Sequence, residues 1–586
     1  MTARTQPGSK KRAKWKPVAK KYANRQFSKT HRLDLEGDGR FKSSEINKAE
    51  AQIRATRLAP IIEEKLARRS DAVKRLSVLL LMVGLQMTTW TTGHQASIAD
   101  VTRAINKLPA WRLRELGSPD WTLNGSYDRV QRLIKQLSEV LAEGWTHQTD
   151  DDGPPIQVDL EYYQRQVMLS DIPRHVIEGA AVAIDGTAME TCARFHSTGL
   201  IDLDGDYSKT DDEAVDYAEL AENAPKERKA AVLGIGEDKR NIYTHDSEAR
   251  AGHRTSTSKR KGGPFVGREC HLGVTVASIE QTNGVDKIKF NDEIPHLVVA
   301  MALVPAGAHR GKSVLPGLAN AHKAGHCTEV VADGGYSLAA EHFLLALRKE
   351  GIPVTFRPAS HQLGVKGFGD LLLIDGYPFA AYTPDELLSL QPPGYGATRS
   401  EKEAKTEKFN ARARFRYATH GTPKDGTRRL ISPLASGKVR SRAVPKSMRK
   451  APNAPLVTLP AGIQDKGTVK IGVDEIATLQ PTVPFTTAHN RAYGRRQQAE
   501  TVNSRIKGGT GSLTDIEKGY TLLMNTAKIG LFLAHTISRH NQIEYRNHVR
   551  NREALEEKEA STRKRRHDAV TRTSDLESDP PNASDP

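Results

Sequence analysis

The sequence predicts an α/β chain: a helical N-terminal domain, then a mixed core interrupted by a β-containing insertion. Three observations carry this. Apolar residues recur at helical spacing between about residues 48 and 144, and again from about 488 through 546. Between these stretches lie short runs of β-formers at residues 180–184, 271–276, 296–303 and 330–332, separated by helical or loop sequence. The 586 residues also far exceed the ~250–300 at which a single hydrophobic core stops growing, so about three folded units are expected.

Residues 1–47 read as a basic, disordered arm. Lys10, Lys11, Arg12, Lys14, Lys16, Lys20 and Lys21 fall in a stretch of 32 residues without an acid, either a solvated tail or a segment that contacts phosphates. Residues 48–150 read as a helical domain. Ser97-x-x-Asp100 is a capping pair, and Gly125-Ser126 breaks the periodic segments 98–116 and 127–141 from one another. Those two segments form either a helix-turn-helix reader of DNA or a plain bundle. The apolar run 76–85, interrupted by Ser77 and Gly84, falls short of the ~20 residues that span a bilayer and reads as a buried helix. With no apolar leader at the N-terminus either, a cytoplasmic protein without membrane contact is expected.

Residues 160–356 and 485–546 read as two parts of one core, flanking a basic insertion over 357–484. The insertion has a hairpin at Asp375-Gly376 and, from Lys402 to Lys450, 15 Lys/Arg against 3 acids. Residues 547–586 read as a charged, disordered tail. The net charge of +17 and pI near 9.5 favour a polyanionic partner, nucleic acid before membrane. Cys192, Cys270 and Cys327 are the only cysteines and lack zinc spacing, which fits a reducing compartment.

The candidate chemistry rests on three acids. Asp185 and Asp333 each end an apolar run and precede glycine, which presents them where ligand sites form at the carboxyl ends of buried strands; an ordinary turn is the local alternative. The third element is more specific. Tyr493, Arg496, Glu500 and Lys507 stand at i, i+3, i+7 and i+14, which on one helix places them within a stripe about 60° wide, with Val502 and Ile506 near the opposite side. One carboxylate is then flanked by two cations and a phenol, unless the stripe is only a solvated face held by the Arg496/Glu500 pair.

The spacing Y-x2-R-x3-E-x6-K, matched without a gap from Tyr493 to Lys507, resembles the third-acid motif of a large superfamily of DDE-type insertion-sequence transposases. Ile184-Asp185-Gly186-Thr187 and Ala332-Asp333-Gly334-Gly335-Tyr336 resemble its first two acidic motifs, in the same order. Tyr243-x2-Asp246-x2-Ala249-Arg250 and Phe265-Val266-Gly267-Arg268-x2-His271-Leu272 resemble its connecting segments, and the likeness covers roughly residues 175–345 and 485–540. The resemblance implies a ribonuclease-H-like core split between the second and third acids. It further implies two Mg²⁺ ions, or Mn²⁺ in their stead, held by Asp185, Asp333 and Glu500, with Tyr493, Arg496 and Lys507 on phosphates of the transposon end. Residues 48–150, where the likeness is faint, are assigned to binding that end by position and composition only. DNA, as transposon ends and target, is the implied partner, with a homo-oligomer pairing two ends, and the implied reaction is metal-dependent end cleavage followed by strand transfer. Hard cations do take carboxylate oxygens, and a metal pair ~3.5–4 Å apart suits in-line displacement. A nuclease of similar fold without strand transfer, or an inactive DNA-binding remnant, are the alternatives.

Among rival acids, Asp246 is the substitute should Asp185 or Asp333 fail, while Asp375 reads as a hairpin turn. Two stretches imitate calcium loops: Asp34-x-Glu36-x-Asp38-Gly39 with Glu45, and Asp202, Asp204, Asp206 with Glu213. The first reads as a chance match. The second has Tyr207 at the glycine position and reads as a solvated acidic loop.

Overall fold

The computed structural model describes residues 41–577 except 70–74, 91–96, 149–152, 193–194, 201–230, 236–239, 245, 255–261, 284–286, 292–293, 309, 338–339, 369–370, 395, 422–426, 443–452, 462–464, 473–477 and 509–522. The basic cluster of residues 10–21 and both calcium-loop lookalikes, Glu45 apart, lie outside the described residues.

Six helices open the chain: α1 Ser43–Ala55, α2 Leu58–Ala67, α3 Val78–Trp90, α4 Ile98–Asn106, α5 Ala110–Glu115 and α6 Ser126–Glu143. Helix α1 thus begins inside the segment read as an arm. The apolar run became α3, with Leu80, Leu81, Met82, Val83, Leu85 and Met87 all buried. Gly84 lets α4 approach it, since a Cβ there would come 2.8 Å from Ile105. Ser97 caps α4 as its spacing predicts, its Oγ accepting the Asp100 N–H at 3.1 Å. The helix expected over 98–116 is two helices instead. Pro109 starts the second in an extended conformation (ψ 151°), and the residue before a proline is pushed out of helical geometry. All six contribute to one apolar cluster, so they pack as a bundle.

A mixed sheet forms the core. Its strands are β1 Ala181–Glu190, β2 Arg250–Arg254, β3 Gly263–Val276, β4 Val298–Pro305, β5 Glu329–Ala332 and β6 Val354–Phe356. They run in the order β4-β3-β1-β5-β6, with β2 paired to β3. β1 is antiparallel to β3 and β3 to β4, whereas β5 lies parallel to β1 and to β6. Side-chain alternation sorts the two faces. Ala181, Ala183, Leu272 and Val331 share a cluster with the bundle and with Tyr163 and Val167 of α7, Leu160–Met168, whereas Val182, Ile184, Val330 and Ala332 share one with Val314 and Leu318 of α8, Arg310–Lys323.

Asp185 does not end its strand. The antiparallel ladder continues from Asp185↔Leu272 to Glu190↔Gly267, so β1 extends five residues beyond the acid on that edge. On the other edge the parallel ladder pairs Ala183 with Val331, and β5 stops at Ala332. Asp185 and Asp333 therefore each stand two residues past the same rung.

The insertion has its own core of Ile374, Phe379, Phe415 and Leu430 with their neighbours. It contains the meander β7 Val365–Phe368, β8 Leu371–Ile374 and β9 Tyr377–Ala380, and the three-stranded sheet of β10 Ala418–Gly421, β11 Arg428–Ile431 and β12 Thr468–Ile471. Asp375 and Gly376 form the expected hairpin turn, both at positive φ (53° and 75°). The basic stretch also carries the helix α9, Arg399–Arg412, which starts with a Thr398/Glu401 capping box.

The C-terminal region departs most from expectation. Three helices replace one: α10 Thr487–Gly494, α11 Arg496–Gly508 and α12 Thr526–Glu577. Helix α12 carries on through most of the segment read as a disordered tail. Its first half is locked in the core, with Leu531, Phe532, Leu533 and Ile537 buried and Asn541 bonded to Met168 and Val298. That anchored half supplies the costly nucleus, and the Ala-, Glu-, Lys- and Arg-rich remainder propagates from it, aided by i,i+4 pairs Arg552–Glu556 and Arg563–Glu559. Among the described residues no helix is long and apolar enough to cross a membrane.

Candidate active site

Asp185 and Asp333 meet on the sheet face that α11 covers. Ala181 and Ala183, which share their side of β1 with Asp185, pack in one cluster with Ala499, Val502 and Ile506 of α11. The neighbouring stripe of α11, at the edge of that contact, faces the acids. Arg496 reaches Glu500 at 2.6 Å and Asp185 at 3.9 Å. Lys507 Nζ donates to the Ala188 carbonyl of β1 at 3.1 Å. Asn503, one turn beyond Glu500, donates from Nδ2 to Asp185 Oδ2 at 2.8 Å. Asp333 sits in a tight turn in which its Oδ1 accepts the Gly335 N–H at 2.8 Å.

Tyr493 lies not on this helix but at the end of α10, because the helix is interrupted for one residue at Arg495, whose backbone stays in the helical region. Arg495 is buried. It donates from Nε to the Ala492 carbonyl, the acceptor that a continuous helix would offer to the Arg496 N–H, and from Nη1 and Nη2 to the Ala277 carbonyl and Glu329. Tyr493 still faces the site, stacked on His489 with its ring 5.8 Å from the Arg496 guanidinium. The stripe thus keeps Arg496, Glu500 and Lys507, gains Asn503, and receives Tyr493 from across the break.

The electrostatics are governed first by burial and then by neighbouring charge. Burial pushes the Asp185 carboxyl up to about 6, and the charges of Asp333 and Glu500 add to the shift against the Asn503 hydrogen bond and Arg496. Burial would lower Arg496, but Tyr493, Glu500, Asp185 and Asp333 together hold it above its ordinary value. Tyr336 is raised by burial and then by Asp185 and Asp333, and burial with Arg310 lowers His271 to about 3.

The rival acids are spoken for. Asp246 is buried, accepts both Arg268 Nη1 and Nη2 at 2.7 Å, and takes the Thr191 hydroxyl at 2.6 Å. Burial opposes its ionisation, yet the Arg268 hydrogen bonds and charge hold it below the usual range. It is a structural anchor and not a substitute ligand. Asp375 is likewise tied to Arg412 and to the Gly364 N–H in the insertion.

As a metal site the arrangement fits in donor chemistry and is open in spacing. Among the described residues no group of three His, Cys, Asp or Glu is close enough to hold an ion. Arg496 stands where a cation would neutralise Asp185 and Glu500, and Glu500, its side chain 47% exposed, is free to change rotamer. Carboxylate oxygens suit Mg²⁺ or Mn²⁺, and a cation would offset the burial that raises Asp185 and the smaller push from Asp333 and Glu500.

The sequence reading missed Asn503, whose position in the acid stripe was available from helical spacing alone. It also missed His271 and Tyr336 as neighbours of the acids: Tyr336 ended a quoted motif, but its reach to β3 is tertiary. No family model, no curated protein and no solved structure matches the chain.

Proposed function

We propose that the chain is a DDE-type transposase that cleaves transposon ends and joins them to target DNA. The carrying observation is the convergence of three distant acids. Asp185 and Asp333 stand level on neighbouring parallel strands, and Glu500 arrives after the insertion on a helix packed against the same face. Three antiparallel strands continued by two parallel ones, β4-β3-β1-β5-β6, suit the ribonuclease-H-like core that the reading calls for.

Asp185, Asp333 and Glu500 would hold two Mg²⁺ ions, which when bound supply charge stabilisation for the attacking and leaving oxygens of an in-line displacement. The chain's own groups then do the rest. Arg496 leaves Glu500 for a DNA phosphate, which it can grip with two parallel N–H bonds. Lys507 adds a point charge further along the same stripe. Tyr493, stacked on His489, lends a hydroxyl beside Arg496, and Asn503 holds Asp185 in register with Glu500. The surplus of basic residues provides the salt-sensitive hold on DNA.

The test is cleavage and joining of labelled DNA carrying the sequences that flank the gene, with Mg²⁺. Asp185→Asn, Asp333→Asn and Glu500→Gln should each slow cleavage by at least ~10³-fold, about 4 kcal/mol, with DNA affinity unchanged. Near-normal cleavage by any one would remove that residue from the site. Hydrolysis without joined product would point to a nuclease.

A further inference from the structure

Behind the acids lies a buried polar chain that the proposed reaction does not use directly. The Tyr336 hydroxyl is 2.6 Å from His271 Nδ1, and both residues are only 1% exposed. His271 Nε2 stands 3.6 Å from Glu269 Oε2, and Glu269 in turn accepts Arg310 Nε at 2.9 Å and Nη2 at 3.2 Å. That 3.6 Å is too long for a hydrogen bond, so His271 is held through Nδ1, and its buried Nε2 has no hydrogen-bond partner among the described residues. Burial and then Arg310 lower the imidazole to about 3, so the bond joins the Tyr336 phenol to a neutral ring.

The connection matters because of what it joins. Tyr336 closes the Asp333 turn, its N–H donating to the Asp333 carbonyl at 3.2 Å. His271 belongs to β3, directly across from Gly186, the residue after Asp185. A Cβ at Gly186 would lie 2.7 Å from His271 Nδ1 and 3.3 Å from the Tyr336 hydroxyl, so glycine is what lets this pair sit against the strand. The ordinary turn preference of Asp-Gly does not account for that, because Asp185-Gly186 is extended strand and not a turn.

We propose that the Tyr336–His271 hydrogen bond is a strut that fixes the Asp333 turn against the Asp185–Gly186 strand and so sets the separation of the two acids for metal binding. Tyr336 and His271 are positioning residues on this proposal, which rests on the metal-dependent reading above. Partners that orient metal-holding groups commonly influence affinity or rate by ~10–100-fold, and a two-residue strut across the short Asp333 turn belongs to that range.

Two variants remove the bond with little change in shape: Tyr336→Phe, which keeps the ring against Phe343, and His271→Leu. The first readout needs no metal. Amide hydrogen exchange of the segment 333–336 in metal-free protein should quicken by about tenfold in Tyr336→Phe, because the Gly335 N–H held by Asp333 opens with the turn. The second readout is Mn²⁺ binding followed by electron paramagnetic resonance, with DNA cleavage rates beside it. Each variant should weaken Mn²⁺ binding and slow cleavage by about tenfold, DNA affinity should not move, and the double variant should be no worse than either single one, since both break the same bond. Unchanged exchange, or wild-type Mn²⁺ affinity in both variants of a wild-type protein that does bind Mn²⁺, overturns the strut. A wild-type protein that binds no Mn²⁺ and cleaves nothing overturns the functional reading instead, and quickened exchange in Tyr336→Phe would then still uphold the strut as a structural bond.

Discussion

Two carboxylates lie against the same strand, β3, and their surroundings differ completely. Asp246 is 1% exposed and has its charge met in full by the two-pronged Arg268 and the Thr191 hydroxyl. Asp185 is partly exposed, shares one guanidinium with Glu500 at a looser 3.9 Å, and feels Asp333 as a like charge. A fold has no use for three acids gathered round one arginine, whereas a matched buried pair holds segments together. Compensation, and not proximity to a motif, is thus what sets the structural acid Asp246 apart from the candidate ligand Asp185.

The largest effect should come from breaking the matched pair. Asp246→Ala would leave Arg268, which is 1% exposed, with only the looser, partly exposed Glu248 carboxylate at 3.6 Å, a loss approaching the ~3–5 kcal/mol of a broken buried pair. Chemical denaturation of the variant measures it. A cost near zero would mean that Arg268 finds another partner and that Asp246 is not an anchor.

The opposite sign is expected at Asp185, and it should depend on pH. The folded protein raises this carboxyl from 3.8 to about 6, so the fold favours its protonated form. Below the unfolded value both states carry the proton and the group costs nothing; as pH rises through the folded value the native state must ionise and stability is lost. Metal-free Asp185→Asn should therefore match wild type near pH 4 and exceed it above pH 6 by up to about 3 kcal/mol. Added Mg²⁺ should narrow that gap by stabilising the wild type alone. A gap that is absent or that shrinks as pH rises would refute the strained-acid account.

Next come the cations of the stripe. Arg496→Ala and Lys507→Ala should slow cleavage of a labelled end by ~10–100-fold, about 1.4–2.7 kcal/mol in the barrier, although neither residue holds a metal. Melting temperature should change little for Arg496→Ala, since removing it also removes a partly exposed ion pair. Wild-type rates in single turnovers would return the stripe to a solvated face.

How far the sequence carried this reading follows the reach of its physics. Helical spacing located Glu500, Arg496 and Lys507 on one face because that periodicity is local, and alternation located the strands that hold Asp185 and Asp333. The interruption at Arg495 was invisible, since it coincides with a buried side chain that turns back onto Ala492 and across to Ala277 and Glu329, and the last two are tertiary neighbours. The β1 extension past Asp185 was hidden for the same reason: Asp-Gly reads as a turn unless β3 is there to pair with it. Composition likewise misread residues 547–577, because polarity reports a lack of core contacts and not the anchored half-helix from which α12 propagates.

That same helix supplies the smallest effect and the limit of the comparison. Arg552–Glu556 and Arg563–Glu559 are matched charges, like Arg268–Asp246, but they stand on a stretch exposed at every described position from residue 553 to 563. If compensation alone made a charge structural, breaking these pairs would cost as much as breaking the buried one. Water, however, solvates a lone exposed charge almost as well as a partner does, and such i,i+4 pairs contribute only ~0.3–0.5 kcal/mol. Glu556→Gln should therefore shift the denaturation midpoint by an amount close to the error of the measurement. High salt should remove even that remainder, whereas the Asp246→Ala deficit should persist because buried pairs are screened much less. A loss at Glu556 comparable to that at Asp246 would mean that the distal part of α12 is covered by a partner, and that burial had been judged on the wrong molecule.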